Sequence, residues 1–298
     1  MYPWPSELDR TAVAALVDAA LIEDLGPAGE DVTSAATIPA DLVATAEIRA
    51  RGAGVVAGIP VAALALERAG AEVSTTAADG DAVASGDVVL RATGPVRRLL
   101  TVERTTLNLL CHLSGVATLT RRWVDEVAGT GAAIRDTRKT SPGLRVLEKY
   151  AVRAGGGVNH RMGLWDAALV KDNHVAAAGG VAAAFAAVRE NFPGLSVEVE
   201  CDTLAQVAEV IDAGADLVLL DNMSLDELRE AVAIARPRGV KLEASGGLSL
   251  DVARAVAETG VDFLAVGALT HSAPVLDLGL DLDVRAATRT GAGTEVPA

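Results

Sequence analysis

The 298-residue sequence has only two cysteines, Cys111 and Cys201, and only four lysines, none of them before Lys139. Two cysteines without CxxC or Cys/His ligand spacing exclude a disulfide framework and a structural zinc site, and they predict a reducing, cytoplasmic compartment. Long apolar runs are also missing. The longest, 54–66 and 176–188, cover 13 residues each and are too short and too rich in alanine and glycine to cross a bilayer, so they read as core elements. The first ten residues place no basic segment ahead of an apolar one and carry Glu7 and Asp9, so no signal peptide is expected. Positive charge is short overall, with a net charge of −14, which repels nucleic acid and anionic membranes.

The length suits two domains or one large barrel. Half of the residues are apolar and 22% are charged, the composition of an ordinary globular enzyme. The charge is unevenly spread: the window 135–174 carries +4 and the remainder −18. A basic island in an acidic chain points to a pocket for a small anion, whereas an isolated charge run would read as a solvated helix face.

From about residue 130, short apolar runs alternate with helical patterns, predicting repeated βα units and a parallel sheet buried on both faces. Six strands are expected to end near Ile134, Val170, Val199, Leu220, Leu242 and Val266. Six units fall short of the eight of a closed barrel, so the expectation is an incomplete, irregular α/β barrel. The first hundred residues read differently. A helix over 6–25 precedes strands and turns over 45–95, punctuated by Gly80, Gly86 and Gly94, and a helix over 101–113 leads into the barrel. The hairpin pattern resembles that of biotinyl and lipoyl carrier domains, yet the attachment lysine is absent, which leaves a small α/β sandwich. The expected division is a sandwich over 1–112 joined by a returning segment at 272–285, a barrel over 113–271, and a solvated tail at 286–298.

In parallel α/β architectures function gathers beyond the C-terminal ends of the strands. In order these ends offer Arg138 and Lys139, then Lys171, Glu200, Asp221, Ser245-Gly246-Gly247 and Gly267-Ala268. Strands pair about 5 Å apart, so Glu200 and Asp221 at equivalent heights would crowd two carboxylates that a divalent cation or a shared proton makes tolerable, while either acid taken singly reads equally as a salt-bridge partner for a rim arginine. Oxygen-only ligation suits Mg²⁺. The two glycine turns precede helices and suit a phosphate. Arg138, Lys139, His160, Arg161 and Lys171 form a cationic half-site fit for a planar dianionic acid. Arg145, Lys149 and Arg153, four residues apart, read as a solvated helix face. His112, His174 and Lys241 read as structural.

The segments RDTRKTSPGLRVLEKYAVRAGGGVNHRMGLWDAALVKDNHV, VEVE, LVLLDN, EASGGL and VGALTHS, with TVERTTLNLLCHLSG and EDLG before them, resemble the quinolinate phosphoribosyltransferases, which make nicotinate mononucleotide for NAD biosynthesis. The resemblance spans most of the chain. It implies phosphoribosyl transfer from phosphoribosyl pyrophosphate to quinolinate with decarboxylation, Mg²⁺ as the ion, and a homodimer in which Arg104 of one subunit reaches the other's site. It assigns Arg138, His160, Arg161 and Lys171 to quinolinate, and Lys139, Glu200, Asp221 and the Ser245 and Gly267 turns to phosphoribosyl pyrophosphate and Mg²⁺, with His271 beside them. Lys139, Lys171, Glu200 and Asp221 are the expected catalytic groups. VLLDNMSLDEL lacks the adjacent acids of ordinary phosphoribosyltransferases. Two other readings are a barrel aldolase with Lys171 as Schiff-base lysine and a carrier or interaction module with a vestigial barrel. The arginines around Lys171 and the missing N-terminal lysine weigh against them.

Overall fold

The computed structural model describes residues 3–284 and 287–289. The chain divides into two compact units. One holds the residues up to Leu119, Val146–Gly155 and the stretch from Ala273; the other holds Thr120–Arg145 and Gly156–Ser272. Of the expected tail, only 287–289 are described, and Thr288–Arg289 pairs with Leu42 and Val43.

The first unit is an antiparallel sheet with helices on one face. Its strands run in the order Leu278–Leu282, Leu42–Ala50, Val88–Pro95, Glu72–Thr75. Along Leu42–Ala50 the residues Ala44, Ala46, Ile48 and Ala50 are buried in alternation, as one covered face requires. Ala46, Ile48 and Ala50 share one core cluster with Leu66, Leu99 and Leu110 from helices Ile59–Arg68 and Val96–Glu126. The other face carries charged residues, with Glu47 bridging Arg49 and Arg91.

Three expectations change here. Gly94 lies within a strand rather than at a turn, and a Cβ on it would come 3.0 Å from the Ala71 Cα, so it marks a close approach of two backbones. The helix expected over 101–113 runs from Val96 to Glu126, and the two compact units divide within it, after Leu119. Gly115 continues the helix instead of ending it, because a Cβ there would sit 2.2 Å from the Pro274 carbonyl oxygen. Helix Arg145–Ala154 groups largely with the first unit, and its Lys149 is fully buried, not solvated. Helical spacing gives the phase of a face but not which side the fold covers.

The second unit is built from β1 (Ala133–Arg135), β2 (Ala168–Val170), β3 (Val197–Cys201), β4 (Leu217–Asp221), β5 (Lys241–Ser245) and β6 (Phe263–Ala265). All pair in parallel, in the order β1-β6-β5-β4-β3-β2. Helices return the chain: Asp172–Ala178 and Val181–Asn191 after β2, then Leu204–Asp212, Leu225–Ala235, Leu250–Ala257 and the short Ala268–His271. Two begin at capping boxes, Thr203 with Gln206 and Ser224 with Glu227, which satisfy the first free N–H groups. In a flat sheet β1 and β3 would stand roughly 19 Å apart, four strand spacings. Yet Arg135 Nη1 of β1 lies 3.8 Å from Glu198 Oε2 of β3. The sheet is therefore curled into a barrel. It lacks a β1–β2 pairing among the described residues; instead Val158 bridges to Arg135 at the free edge of β1.

Candidate active site

Side chains alternate along a strand, and register fixes which of them share the barrel interior. Glu198 pairs beside Leu217, Glu200 beside Leu219, Ser245 beside Asp221, and Ala265 beside Arg135. Glu200 and Asp221 are therefore on the same face of neighbouring strands but two residues out of step, about 7 Å along the strand, not opposite one another as expected. A cavity of about 780 Å³ opens at the C-terminal strand ends. It is lined by Arg138, Lys139, His160, Arg161, Lys171, Glu200, Asp221, Ser245, Gly246, Gly247, Gly267, Ala268 and His271, all of them expected. Arg104 is exposed on helix Val96–Glu126, in the first unit.

The cationic flank is held by buried polar contacts. Asp136, just past β1 and fully buried, accepts from the His160 N–H at 2.8 Å and from Asn159 Nδ2 at 2.5 Å, which straps the segment 158–161 beside β1. Arg161 donates through Nη1 to the Ala167 carbonyl at 2.9 Å. The Nε atoms of Arg138 and Arg161 are buried and have no hydrogen-bond partner among the described residues. Buried donors without acceptors are costly, so they are placed for a ligand. Burial and the neighbouring Arg138 charge lower the Arg161 pKa, and an anion between the two guanidinium groups relieves both effects. Lys171 reaches from the tip of β2 to Glu200, with Nζ 2.6 Å from Oε2.

The acidic flank and the glycine turns face this. Asn222, left-handed at φ 54°, donates through Nδ2 to Asp221 Oδ2 at 2.7 Å and through its N–H to the Ser245 carbonyl at 3.0 Å. Gly246 has φ +92°, and a Cβ on it would meet Asn222 Oδ1 at 2.2 Å; only glycine fits. At Gly267 a Cβ would lie 2.9 Å from the Lys139 Cδ, so this glycine makes room for the Lys139 side chain, whose carbonyl accepts from Thr270 Oγ1 at 2.7 Å. Glu200 and Asp221 both line the cavity and offer carboxylate oxygens, the donor type that hard divalent cations prefer.

Beneath the mouth lies a cluster that the sequence reading did not anticipate. Glu198 and Glu243 are buried on β3 and β5, with Arg135 Nη1 2.7 Å from Glu243 Oε2. Burial pushes both carboxyl groups up to about 7, and the charge of Glu198 adds to the rise at Glu243 while Arg135 opposes it at both. The alternation Val-Glu-Val-Glu over 197–200 was the available signal for Glu198. Thr137, Asn222 and Glu243 also line the cavity and were not foreseen. The histidines read as structural are satisfied: His112 Nε2 lies 2.8 Å from Glu148 Oε1 and His174 Nδ1 accepts from the Lys171 N–H at 2.9 Å.

Residues 31–114 match the N-terminal domain of quinolinate phosphoribosyl transferase and residues 116–281 its C-terminal domain. The chain is 51% identical over 283 residues to the nicotinate-nucleotide pyrophosphorylase [carboxylating] of Mycobacterium leprae, covering 93% of this chain and 99% of the relative. It is 41% identical to the probable enzyme of the same name from Bacillus subtilis, over 88% of this chain and 90% of that one. Among solved structures, the nicotinate-nucleotide pyrophosphorylase from Francisella tularensis superposes with a TM-score of 0.88 at 37% identity, covering 93% of this chain and 98% of that one.

Proposed function

The chain belongs to the quinolinate phosphoribosyltransferase family, and from that premise we propose that the barrel mouth holds quinolinate on its cationic flank and phosphoribosyl pyrophosphate across its acidic flank and glycine turns. The reaction is phosphoribosyl transfer to the quinolinate ring nitrogen with loss of one carboxylate, giving nicotinate mononucleotide, carbon dioxide and pyrophosphate in de novo NAD biosynthesis. The observation that carries the site assignment is the pair of buried, unpartnered Nε donors on Arg138 and Arg161 beside Lys171, a set matched to a planar dicarboxylate.

Arg138, Arg161 and Lys171 orient the two carboxylates so that the ring nitrogen faces the ribose C1. Glu200 and Asp221 hold the ribose hydroxyls and the ion. A bound Mg²⁺ supplies charge neutralisation at the pyrophosphate leaving group. Lys139 and the backbone of Ser245-Gly246-Gly247 and Gly267-Ala268 receive the phosphates, with His271 at their edge. Positive field around the pyrophosphate favours its departure as C1 gains oxocarbenium character, and catalysis is positioning plus electrostatics. The nitrogen then attacks C1, the pyridinium so formed stabilises the electron pair left on C2 when the 2-carboxylate departs as carbon dioxide, and C2 takes a proton from solvent to give nicotinate mononucleotide. No covalent enzyme intermediate is needed, which separates this reading from a Schiff-base aldolase.

Arg104, exposed on its helix, completes the site from the second subunit of a homodimer. Two free cysteines, Cys111 and Cys201, suit a cytoplasmic location; among the described residues no helix is long and apolar enough to cross a membrane. The test is incubation with quinolinate, phosphoribosyl pyrophosphate and Mg²⁺. Nicotinate mononucleotide is expected; its absence, or trapping of a carbonyl substrate on Lys171 by borohydride, overturns the reading.

A further inference from the structure

We propose that Glu198 is a positioning residue for the quinolinate half-site, acting through His160 to fix Arg161 across the open seam of the barrel. The inference rests on the functional reading above and adds a residue to it. Between the Val158 edge and β2 no strand ladder forms among the described residues, so side chains must hold that seam. Two contacts cross it. Arg161 Nη1 donates to the Ala167 carbonyl just before β2, and His160 Nε2 lies 2.7 Å from Glu198 Oε2 on β3.

The ring state of His160 follows from its neighbours. Its Nδ1 accepts from the Arg161 N–H at 2.7 Å, so the lone pair is on Nδ1 and the hydrogen on Nε2, which touches Glu198 Oε2 at 2.7 Å without the alignment of a hydrogen bond. His160 lines the cavity, with Nδ1 taken by the Arg161 N–H and Nε2 set against Glu198. Glu243 stands 3.7 Å from the same Nε2 and is itself held by Arg135 at 2.7 Å, so the barrel floor supports Glu198 from behind. The chain of contacts runs from β3 through the imidazole to the backbone of Arg161, whose guanidinium then points into the site. Truncating Glu198 frees the ring to turn and takes the fixed acceptor from the Arg161 N–H. The glycine turns and Lys139 are not part of this chain of contacts.

The experiment compares full-length wild type, Glu198→Ala and Glu198→Gln. Glutamine keeps an amide oxygen facing Nε2–H. Steady-state KM is measured for each substrate, and ¹⁵N-imidazole NMR reads the His160 tautomer, assigned by His160→Gln. Glu198→Ala is expected to raise the quinolinate KM by about tenfold, the scale of one lost polar contact to a charged group, with the phosphoribosyl pyrophosphate KM within about twofold. The Nε2–H signature is expected to be lost in Glu198→Ala and kept in Glu198→Gln, which restores most of the quinolinate KM. An unchanged quinolinate KM, an equal rise in both KM values, or a glutamine variant as impaired as alanine overturns the proposal. If Glu198→Ala does not fold, Glu198→Asp, which withdraws the carboxylate by one methylene, is expected to give the same selective rise, and no selective rise overturns it. Failure of wild type to make nicotinate mononucleotide would instead remove the functional reading itself.

Discussion

Lys171 Nζ lies 2.6 Å from Glu200 Oε2, so the lysine at the tip of β2 and the acid near the tip of β3 neutralise each other across one cavity. The lysine is about half exposed and the acid mostly covered, with side-chain exposures of 48% and 12%, so the pair is open to exchange with solvent and ligands and adds little to stability. Under the proposed function each partner serves a different substrate.

Removing the lysine therefore harms acid binding more than folding. Lys171→Ala is expected to lower kcat/KM for quinolinate by about a hundredfold or more, the loss of a charge-assisted contact of roughly 3 kcal/mol, with a melting temperature within a few degrees of wild type. Steady-state kinetics at saturating phosphoribosyl pyrophosphate, with a thermal melt, check both numbers. An unchanged rate contradicts the assignment of the basic half-site.

Gly246 offers a purely steric test. A Cβ there would strike Asn222 Oδ1 at 2.2 Å in a backbone with φ +92°, so Gly246→Ala is expected to raise the phosphoribosyl pyrophosphate KM and to cost about 1–3 kcal/mol. Adding Asn222→Ala removes the side-chain clash but neither the strain nor the 2.9 Å approach to the backbone nitrogen of residue 222. Denaturant melts should show partial recovery of stability in the double variant, and no recovery speaks against the clash.

The buried carboxyl groups give a pH test. Burial raises the Glu243 pKa from 4.5 to about 7 in the folded state, so folding favours its protonated form. The stability this supplies is complete below pH 4.5 and is lost as pH rises through about 7. Glu243→Gln imitates the protonated group. Its melting temperature, relative to wild type, is expected to rise by a few degrees between pH 5 and pH 8; a difference that stays constant over that range contradicts the argument.

A shared site predicts complementation. Arg104→Ala and Lys171→Ala should each be nearly inactive alone, but if Arg104 serves the other subunit, random re-pairing leaves half of the dimers with one intact site, so mixing after reversible dissociation should restore about a quarter of wild-type activity. Activity that stays at the level of the separate variants contradicts the crossed arrangement.

The sequence made the barrel rim readable because each βα unit places its strand end at a regular interval, and polar residues at those ends stand out from apolar strands. Lys171, Glu200, Asp221 and Gly267 were legible for that reason. Glu198 and Glu243 were harder. They sit inside strands that read as buried, and only the curling that brings β1 within reach of β3 and β5 gives them partners in Arg135 and His160. Lys149 was misread because periodicity marks a stripe without saying what covers it. The helix expected over 101–113 continues past Gly115, where the reason for a glycine is the Pro274 backbone, distant in sequence.

The central claim is that the cationic flank is a seat for quinolinate. A crystal structure of the enzyme soaked with quinolinate tests it most directly: both carboxylates are expected against Arg138, Arg161 and Lys171, with the ring nitrogen turned toward Glu200 and Asp221. Quinolinate bound at the Ser245-Gly246-Gly247 turn, or absent from the cavity at saturating concentration, contradicts it.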